Sequence, residues 1–453
     1  MDTICAIATA RAPSAIGVIR VSGKDAINIC DKIIRLKKGS LANTRPSSMR
    51  LARVFDGSTD IDEVLCVTFK APASYTGEDM VEINCHGGVS IIDRVMKLLI
   101  KNGARAATGG EFTKRAFLNG KVDLIQAEAV CDLINSTSAL DASLALDRMS
   151  GRLSKQFAEI FDTLTSLNTD ILAYIDFPDE GLSDVSDETV ISTLETVRDK
   201  LLKLEQSFKI GSVIKDGANT VILGAPNVGK STLLNAILGY DRSIVSSTAG
   251  TTRDMVSERA VMGKVTLNLC DTAGIRENAE EIEKIGIDIA KNSLENANLV
   301  FALFDGAREL SSDDKHIIDL TKDKPVIAVI NKSDLQEKID RKYIESNFIH
   351  TVDISAANNT GIDKIAQTVE QMFIKGDFNI ESDSLLTSAR HYERVVKARE
   401  KTQDAIQTLK NGFTPDLASI DITEAASEIG QITGMSVAEK IIDDIFSKFC
   451  VGK

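Results

Sequence analysis

The chain has 453 residues, enough for two or three domains each with its own core. Apolar residues make up 43% and charged residues 26%, an ordinary soluble globular balance, and no apolar run approaches a membrane span. A net charge of −13 counts against a nucleic-acid partner, because non-specific phosphate affinity comes from cations, though it leaves room for a local basic patch.

In chain order, residues 1–121 carry short β-like runs at 4–8, 17–21, 64–69 and 80–84 and a helical stretch at 90–101, which reads as a small α+β domain. The first ten residues lack a basic region leading into an apolar run. No signal or transit peptide is read there, and a cytoplasmic location is expected. From residue 122 the texture changes. Leu124, Ala127, Cys131 and Ile134 recur at helical spacing, as do Phe157, Ile160, Phe161, Leu164 and Leu167, then Leu194, Val197, Leu201, Leu204 and Phe208. These amphipathic stripes occupy 122–215, with a break at Phe177-Pro178-Asp179-Glu180, and the same texture returns over 377–453. Between them, residues 216–376 alternate strands (220–223, 265–270, 299–304, 326–330, 349–354) with helices, the pattern of a mostly parallel doubly wound α/β sheet. The economical arrangement is a helical domain with a second domain inserted into it, tolerated when the guest's termini lie close together. Seven cysteines (Cys5, Cys30, Cys66, Cys85, Cys131, Cys270, Cys450) form no C-x-x-C pair and are odd in number, which argues against a disulfide framework and a structural zinc site.

The inserted block carries the chemistry. Gly224-Ala225-Pro226-Asn227-Val228-Gly229-Lys230-Ser231 fits G-x-x-x-x-G-K-[ST] between a strand and a helix that opens at Thr232. Its backbone amides would wrap phosphates at the helix N-terminus, Lys230 would reach the β and γ phosphates, and Ser231 would ligate Mg²⁺. Downstream, Ser246-Ser247-Thr248-Ala249-Gly250-Thr251-Thr252 offers Thr252 as a switch threonine that joins Mg²⁺ when a γ-phosphate is present. Asp271-Thr272-Ala273-Gly274 follows a strand, placing Asp271 near Mg²⁺ and the Gly274 amide near the γ-phosphate. The next residue, Ile275, stands where Ras-like enzymes have a water-orienting glutamine and cannot polarise water, so hydrolysis needs another group. Glu283 is a candidate, its alternative being one more acid on a solvated face. Asn331-Lys332-Ser333-Asp334 ends another strand, where the Asp334 carboxylate can accept two hydrogen bonds from guanine that adenine cannot offer. Ser355, Ala356 and Ala357 follow the last strand and would line the base pocket. Four such elements at successive strand ends, in this order, make GTP the expected ligand.

On these motifs, and on the ending Phe449-Cys450-Val451-Gly452-Lys453, the whole chain resembles the MnmE (TrmE) family, most of whose members end in F-C-I-G-K, with Val451 a conservative departure. The resemblance implies residues 1–121 as a tetrahydrofolate-binding and dimerisation domain, 122–215 and 377–453 as two parts of a helical domain, and 216–376 as an inserted Ras-like G domain. It implies a GTPase that works with an FAD-dependent partner protein, as a heterotetramer, to modify carbon 5 of the wobble uridine of certain tRNAs, drawing one carbon from 5,10-methylene- or 5-formyl-tetrahydrofolate. It further implies that Asn227, with Ser246, Thr248 and Thr251, holds a K⁺ ion against the phosphates, and that Glu283 orients the attacking water as two G domains meet. Arg20, Glu82, Lys121 and Lys453 match folate-contacting positions, and Cys450 becomes a possible functional thiol; read from residues alone, Arg20, Glu82 and Lys121 are surface ion pairs and Cys450 a small hydrophobe. A ribosome-assembly GTPase and a regulatory switch of the same G-domain class are the alternatives, although the chain contains no G-x-x-G of a KH module.

Overall fold

The computed structural model describes residues 2–176, 186–240, 257–270, 294, 297–374, 384–436, 439–447 and 449–452. It divides into two compact units: Met1–Asn135 with Leu146–Leu194 and Lys401–Lys453, and Ser136–Ala145 with Glu195–Glu400. The expected helix break at Phe177-Pro178-Asp179-Glu180 lies outside the described residues.

The first unit contains a seven-stranded sheet of β1 (Ile4–Ile7), β2 (Ile16–Ser22), β3 (Ile34–Leu36), β4 (Met49–Asp56), β5 (Thr59–Phe69), β6 (Met80–His86) and β7 (Arg105–Ala106), ordered β3-β4-β5-β6-β2-β1-β7. All neighbours are antiparallel except β1 with β7. Alternation decides its two faces: Ile19, Val21, Val64, Cys66, Val81 and Ile83 are buried, while Leu51 and Leu65, opposite one another, are exposed. The helix Val89–Lys101 closes the buried face with Ile92, Val95, Leu98 and Leu99, a three-and-four spacing that aligns one stripe toward the sheet.

The same unit carries a helical layer. The helix Arg152–Asp176 buries Leu153, Phe157, Ile160, Leu164, Leu167 and Ile171 and packs along the helix Pro415–Thr433. Ala418, Ala425 and Ala426 on the second helix are small enough for close approach. That helix begins with proline in its first turn and ends at Gly434, whose φ of 95° is the left-handed conformation of a helix stop.

The second unit holds a six-stranded sheet of β8 (Ala218–Gly224), β9 (Ser257–Met262), β10 (Val265–Cys270), β11 (Leu299–Asp305), β12 (Val326–Asn331) and β13 (His350–Asp353), ordered β13-β12-β11-β8-β10-β9. It is parallel throughout except for β9 on β10. Every residue of β11 and β12 is buried, as expected for central strands covered on both faces. β8 sits where the strand order departs in two directions, the position at which doubly wound sheets bind ligands beyond the carboxyl ends of their strands.

Candidate nucleotide-binding site

β8 delivers Gly224 to the carboxyl edge of the sheet, and the helix Lys230–Tyr240 leaves from the loop that follows. Two positions require glycine. A Cβ on Gly224 would stand 2.7 Å from Val228 Cγ2 and 2.8 Å from the Leu303 carbonyl oxygen. Gly229 has φ +103° and would drive a Cβ into the Asn331 side-chain amide. Asn227, with φ 62°, makes a second left-handed corner. Alternating corners of this kind turn successive backbone amides toward one side, the concave form that takes anions. The Lys230 amine donates to the carbonyls of Gly224 (2.8 Å) and Ala225 (3.0 Å), so it lies folded across the loop, as suits a cation whose phosphate partner would replace those oxygens. Ser231 is half-buried in the first turn of the helix and Thr232 is exposed beside it.

The loops after β11, β12 and β13 converge on this one. Asn331 is buried and engages both ends of its amide: the nitrogen donates to the Val228 carbonyl at 2.8 Å, and the oxygen accepts from the Ala356 backbone amide at 2.9 Å. It therefore clips the phosphate loop to the Ser355-Ala356-Ala357 loop. Lys332, with φ 65°, extends its amine to Asp305 Oδ2 at 2.6 Å, while the other oxygen of Asp305 accepts from the Ala307 amide. The Ser333 amide donates to the Ile354 carbonyl, which leaves Asp334 exposed at the rim. The Ser355 hydroxyl oxygen, in the base-side loop, is buried without a hydrogen-bond partner among the described residues.

Asp305 was not anticipated; the signal in the sequence is only an acid ending an apolar strand. Ser246, Ser247, Thr248, Ala249, Gly250, Thr251, Thr252, Asp271, Thr272, Ala273, Gly274, Ile275 and Glu283 lie outside the described residues, as does Lys453.

The other candidate constellation is in the first sheet. Arg20 on β2 and Glu82 on β6 are register partners, paired at 2.7 Å with side chains 21% and 24% exposed, and the Arg20 guanidinium stands 5.7 Å from the Tyr75 ring centroid. The Lys121 amine donates to the Pro72 carbonyl at 3.0 Å, on the same β5–β6 loop that carries Tyr75. Lys121 also borders a cavity of about 510 Å³ with Phe117, Asp123, Ser154, Lys155 and Met435. The chain's tail docks nearby. Val451 bridges to Gly109, the Gly110 amide donates to the Cys450 carbonyl, and Gly452, at φ +95°, presses on Ile7 and Ala8. Ala6, one residue from Ile7, is the β1 register partner of Arg20. Phe449 anchors the tail against Phe446, with ring centroids 5.2 Å apart, while Cys450 is exposed.

Beneath this region Arg115, almost fully buried, meets Glu78, Glu111 and the carboxylate of Asp2, and Arg105 meets Glu111 and Asp2. Against the rise that burial imposes, hydrogen bonds from Arg105, Thr108 and Arg115 bring the Glu111 carboxyl down to about 2; Arg105 first, then Arg115, brings Asp2 to about 2. Adjacent strand residues Cys85 and His86 point to opposite faces. Burial lifts the Cys85 thiol to about 12, while the exposed His86 ring pairs with Asp62 at 2.6 Å, and that bond raises its pKa. They form no nucleophile pair.

A glycine-bent loop between a central parallel strand and a helix, a lysine and a serine opening that helix, and an N-K-S-D turn beside it define a P-loop GTPase domain. Residues 3–121 match the model of the GTP-binding protein TrmE N-terminus, and residues 124–450 that of the MnmE helical domain. The chain belongs to the MnmE family: proteins described as tRNA modification GTPase MnmE from Thermoanaerobacter pseudethanolicus, Alkaliphilus metalliredigens and Clostridioides difficile are 37%, 38% and 37% identical to it, over 100% of this chain and 99% of each relative. Among solved structures, the G domain of the T. maritima FeoB iron transporter aligns with 34% of this chain and 97% of its own, at 22% identity and a TM-score of 0.26. The chain is thus a GTPase, hydrolysing GTP to GDP and phosphate with Mg²⁺. Among the described residues, no helix is long and apolar enough to cross a membrane.

Proposed function

We propose that this chain is the GTP-driven component of a cytoplasmic tRNA-modifying assembly that alters carbon 5 of the wobble uridine. In this reading GTP sits on the Asn227–Ser231 loop. Lys230 and the loop amides neutralise its phosphates, Ser231 and Thr252 hold Mg²⁺, and Asp334 selects guanine. Asn227, exposed at a left-handed corner of the loop, holds K⁺ with Ser246, Thr248 and Thr251. That ion supplies the charge that an arginine finger supplies elsewhere. Glu283 orients the attacking water.

A tetrahydrofolate carrying the one-carbon unit binds beside Arg20, Glu82 and Lys121. A carboxylate can pair with the amino-pyrimidine edge of a pterin, and cations suit its carbonyl and glutamate groups. The tail brings Cys450 toward the same place, and in this reading Lys453, the residue after Gly452, also contacts the folate. Two copies join through their first sheets, whose open face exposes Met49, Leu51 and Leu65. An FAD-dependent partner shares the alkylation in a heterotetramer, so this chain alone modifies no tRNA.

The observation that carries the reading is the half-buried Arg20–Glu82 pair beside the docked tail, in a chain that also carries the phosphate loop. Calorimetry with 5-formyl-tetrahydrofolate tests it: binding by the native chain and loss in Arg20→Ala support it. A native chain that binds GTP but no folate leaves a GTPase switch without this chemistry. Turnover in K⁺ against Na⁺ tests the cation, and equal rates would remove Asn227 from that role.

A further inference from the structure

The acidic chain concentrates positive charge in one place. Residues 35–53 contain Arg35, Lys37, Lys38, Arg45, Arg50 and Arg53 and no Asp or Glu, in a protein whose net charge is −13. The stretch is β3, the 3₁₀ turn Leu41–Asn43 and β4, at the outer edge of the first sheet. All six cations are exposed. Arg53 meets Asp60 at 3.0 Å and Glu63 at 3.5 Å; among the described residues, the other five have no carboxylate at ion-pair distance. Of the flanking acids, Asp31 accepts from the backbone amides of Leu41 and Ala42, and Asp56 stands 3.8 Å from the Lys101 amine.

Two details point to a polyanion rather than to a solvated edge. Arg35 and Arg53 are register partners on adjacent strands; Asp60 and Glu63 answer the Arg53 charge, which leaves Arg35, on the outermost strand, as the member of the pair with no carboxylate at ion-pair distance among the described residues. The guanidinium of Arg35 also lies 4.5 Å from the Phe55 ring centroid, making a planar platform on which an unstacked base could rest. The stretch contains no amphipathic helix to lie in a lipid interface.

We infer that the β3–β4 edge, with Lys37, Lys38 and Arg45 at its loops, is a contact surface for the phosphate backbone of folded RNA, the tRNA of the function proposed above. The inference rests on that reading for its choice of RNA. It also answers how so acidic a chain holds a nucleic acid: repulsion elsewhere orients the RNA onto one edge.

The experiment measures binding of the full chain to a labelled, unmodified tRNA transcript by fluorescence anisotropy over a salt series. The test variant combines Lys37→Glu, Lys38→Glu and Arg45→Glu; a control combines Lys200→Glu, Lys203→Glu and Lys209→Glu, which changes net charge equally at exposed lysines elsewhere. The test variant is expected to bind about tenfold or more weakly, with the log–log salt slope reduced by roughly two to three, while the control changes little. GTP turnover should be unchanged in both, which shows that each is folded. If native chain and test variant bind tRNA equally, this surface is wrong and the tRNA reading stands. If the native chain binds no tRNA at any salt, both fall. Binding of the native chain to phosphatidylserine vesicles but not to tRNA, abolished in the test variant, would assign the edge to a membrane and overturn the inference.

Discussion

At the scale of single residues, Asn331 shows how one side chain can serve a site it need not touch. Its amide bridges the Val228 carbonyl and the Ala356 amide, so it fixes the phosphate loop relative to the base-side loop. Replacing it by alanine leaves a buried carbonyl and a buried amide unpaired, at a cost of about 1–3 kcal/mol. Part of that cost falls on the nucleotide-ready arrangement, so Asn331→Ala should weaken GDP binding about tenfold, as measured by fluorescent-nucleotide titration. Asn331→Asp should be worse, because it sets a carboxylate oxygen against the Val228 carbonyl. Unchanged affinity in both would mean that the loops hold their places without the clip. Cys450 belongs to this scale too. Burial raises the thiols of Cys5, Cys66 and Cys85 to about 11, 12 and 12, while Cys450 is exposed. Native-state thiol titration should show a fast phase that Cys450→Ser removes.

At the scale of elements, much of the architecture was legible because its signals are local. β11 announces itself as an unbroken apolar run, and the G-x-x-x-x-G-K-[ST] loop is one continuous segment whose glycines answer to nearby atoms. β3, β4 and β9 were not anticipated. Arg35, Arg50, Arg53, Glu258 and Arg259 interrupt their apolar pattern, as is usual where one side or an edge meets water. Asp305, the Asn331 clip and the Arg115 cluster were also out of reach. Their partners are distant in sequence, and nothing in the spacing of Asp2, Glu78, Glu111 and Arg115 declares that they meet. The close approach at Gly211 is a similar case. In the helix Asp187–Asp216, Gly211 lies so near the Leu386 carbonyl that any Cβ would overlap it, and Ser207 on the same face accepts from the Leu386 amide at 3.0 Å. Leu385, Ile210 and Ile214 pack beside this contact. Gly211→Ala should therefore force the 384–388 segment away from the helix, despite alanine's better helix propensity. A loss of about 1–3 kcal/mol by thermal unfolding is expected; a stabilised variant would show that the segment shifts at no cost.

At the scale of the whole molecule, segments far apart in sequence are held together by charge as well as by apolar contact, and that has a pH signature. Asp2 precedes the first strand, Glu78 lies on the β5–β6 loop, and Glu111 and Arg115 lie on the helix Glu111–Leu118. Folding lowers Glu111 from an ordinary 4.5, and Asp2 from 3.8, to about 2 in each case. A carboxyl depressed in this way binds protons more readily in the unfolded chain. Its stabilisation is therefore complete above about pH 4.5 and is lost as pH falls through the folded value near 2. For Glu111 the contribution is about 1–2 kcal/mol once solvent screening is allowed for. Glu111→Gln should lower the thermal midpoint at pH 7, and its curve should converge with that of the native chain as pH approaches 2. The gap should close chiefly between about pH 4.5 and 2. A gap that stayed constant across that range would mean that Glu111 acts by packing and not by charge. The tie would then hold the N-terminal strand, the loop and the helix together irrespective of protonation.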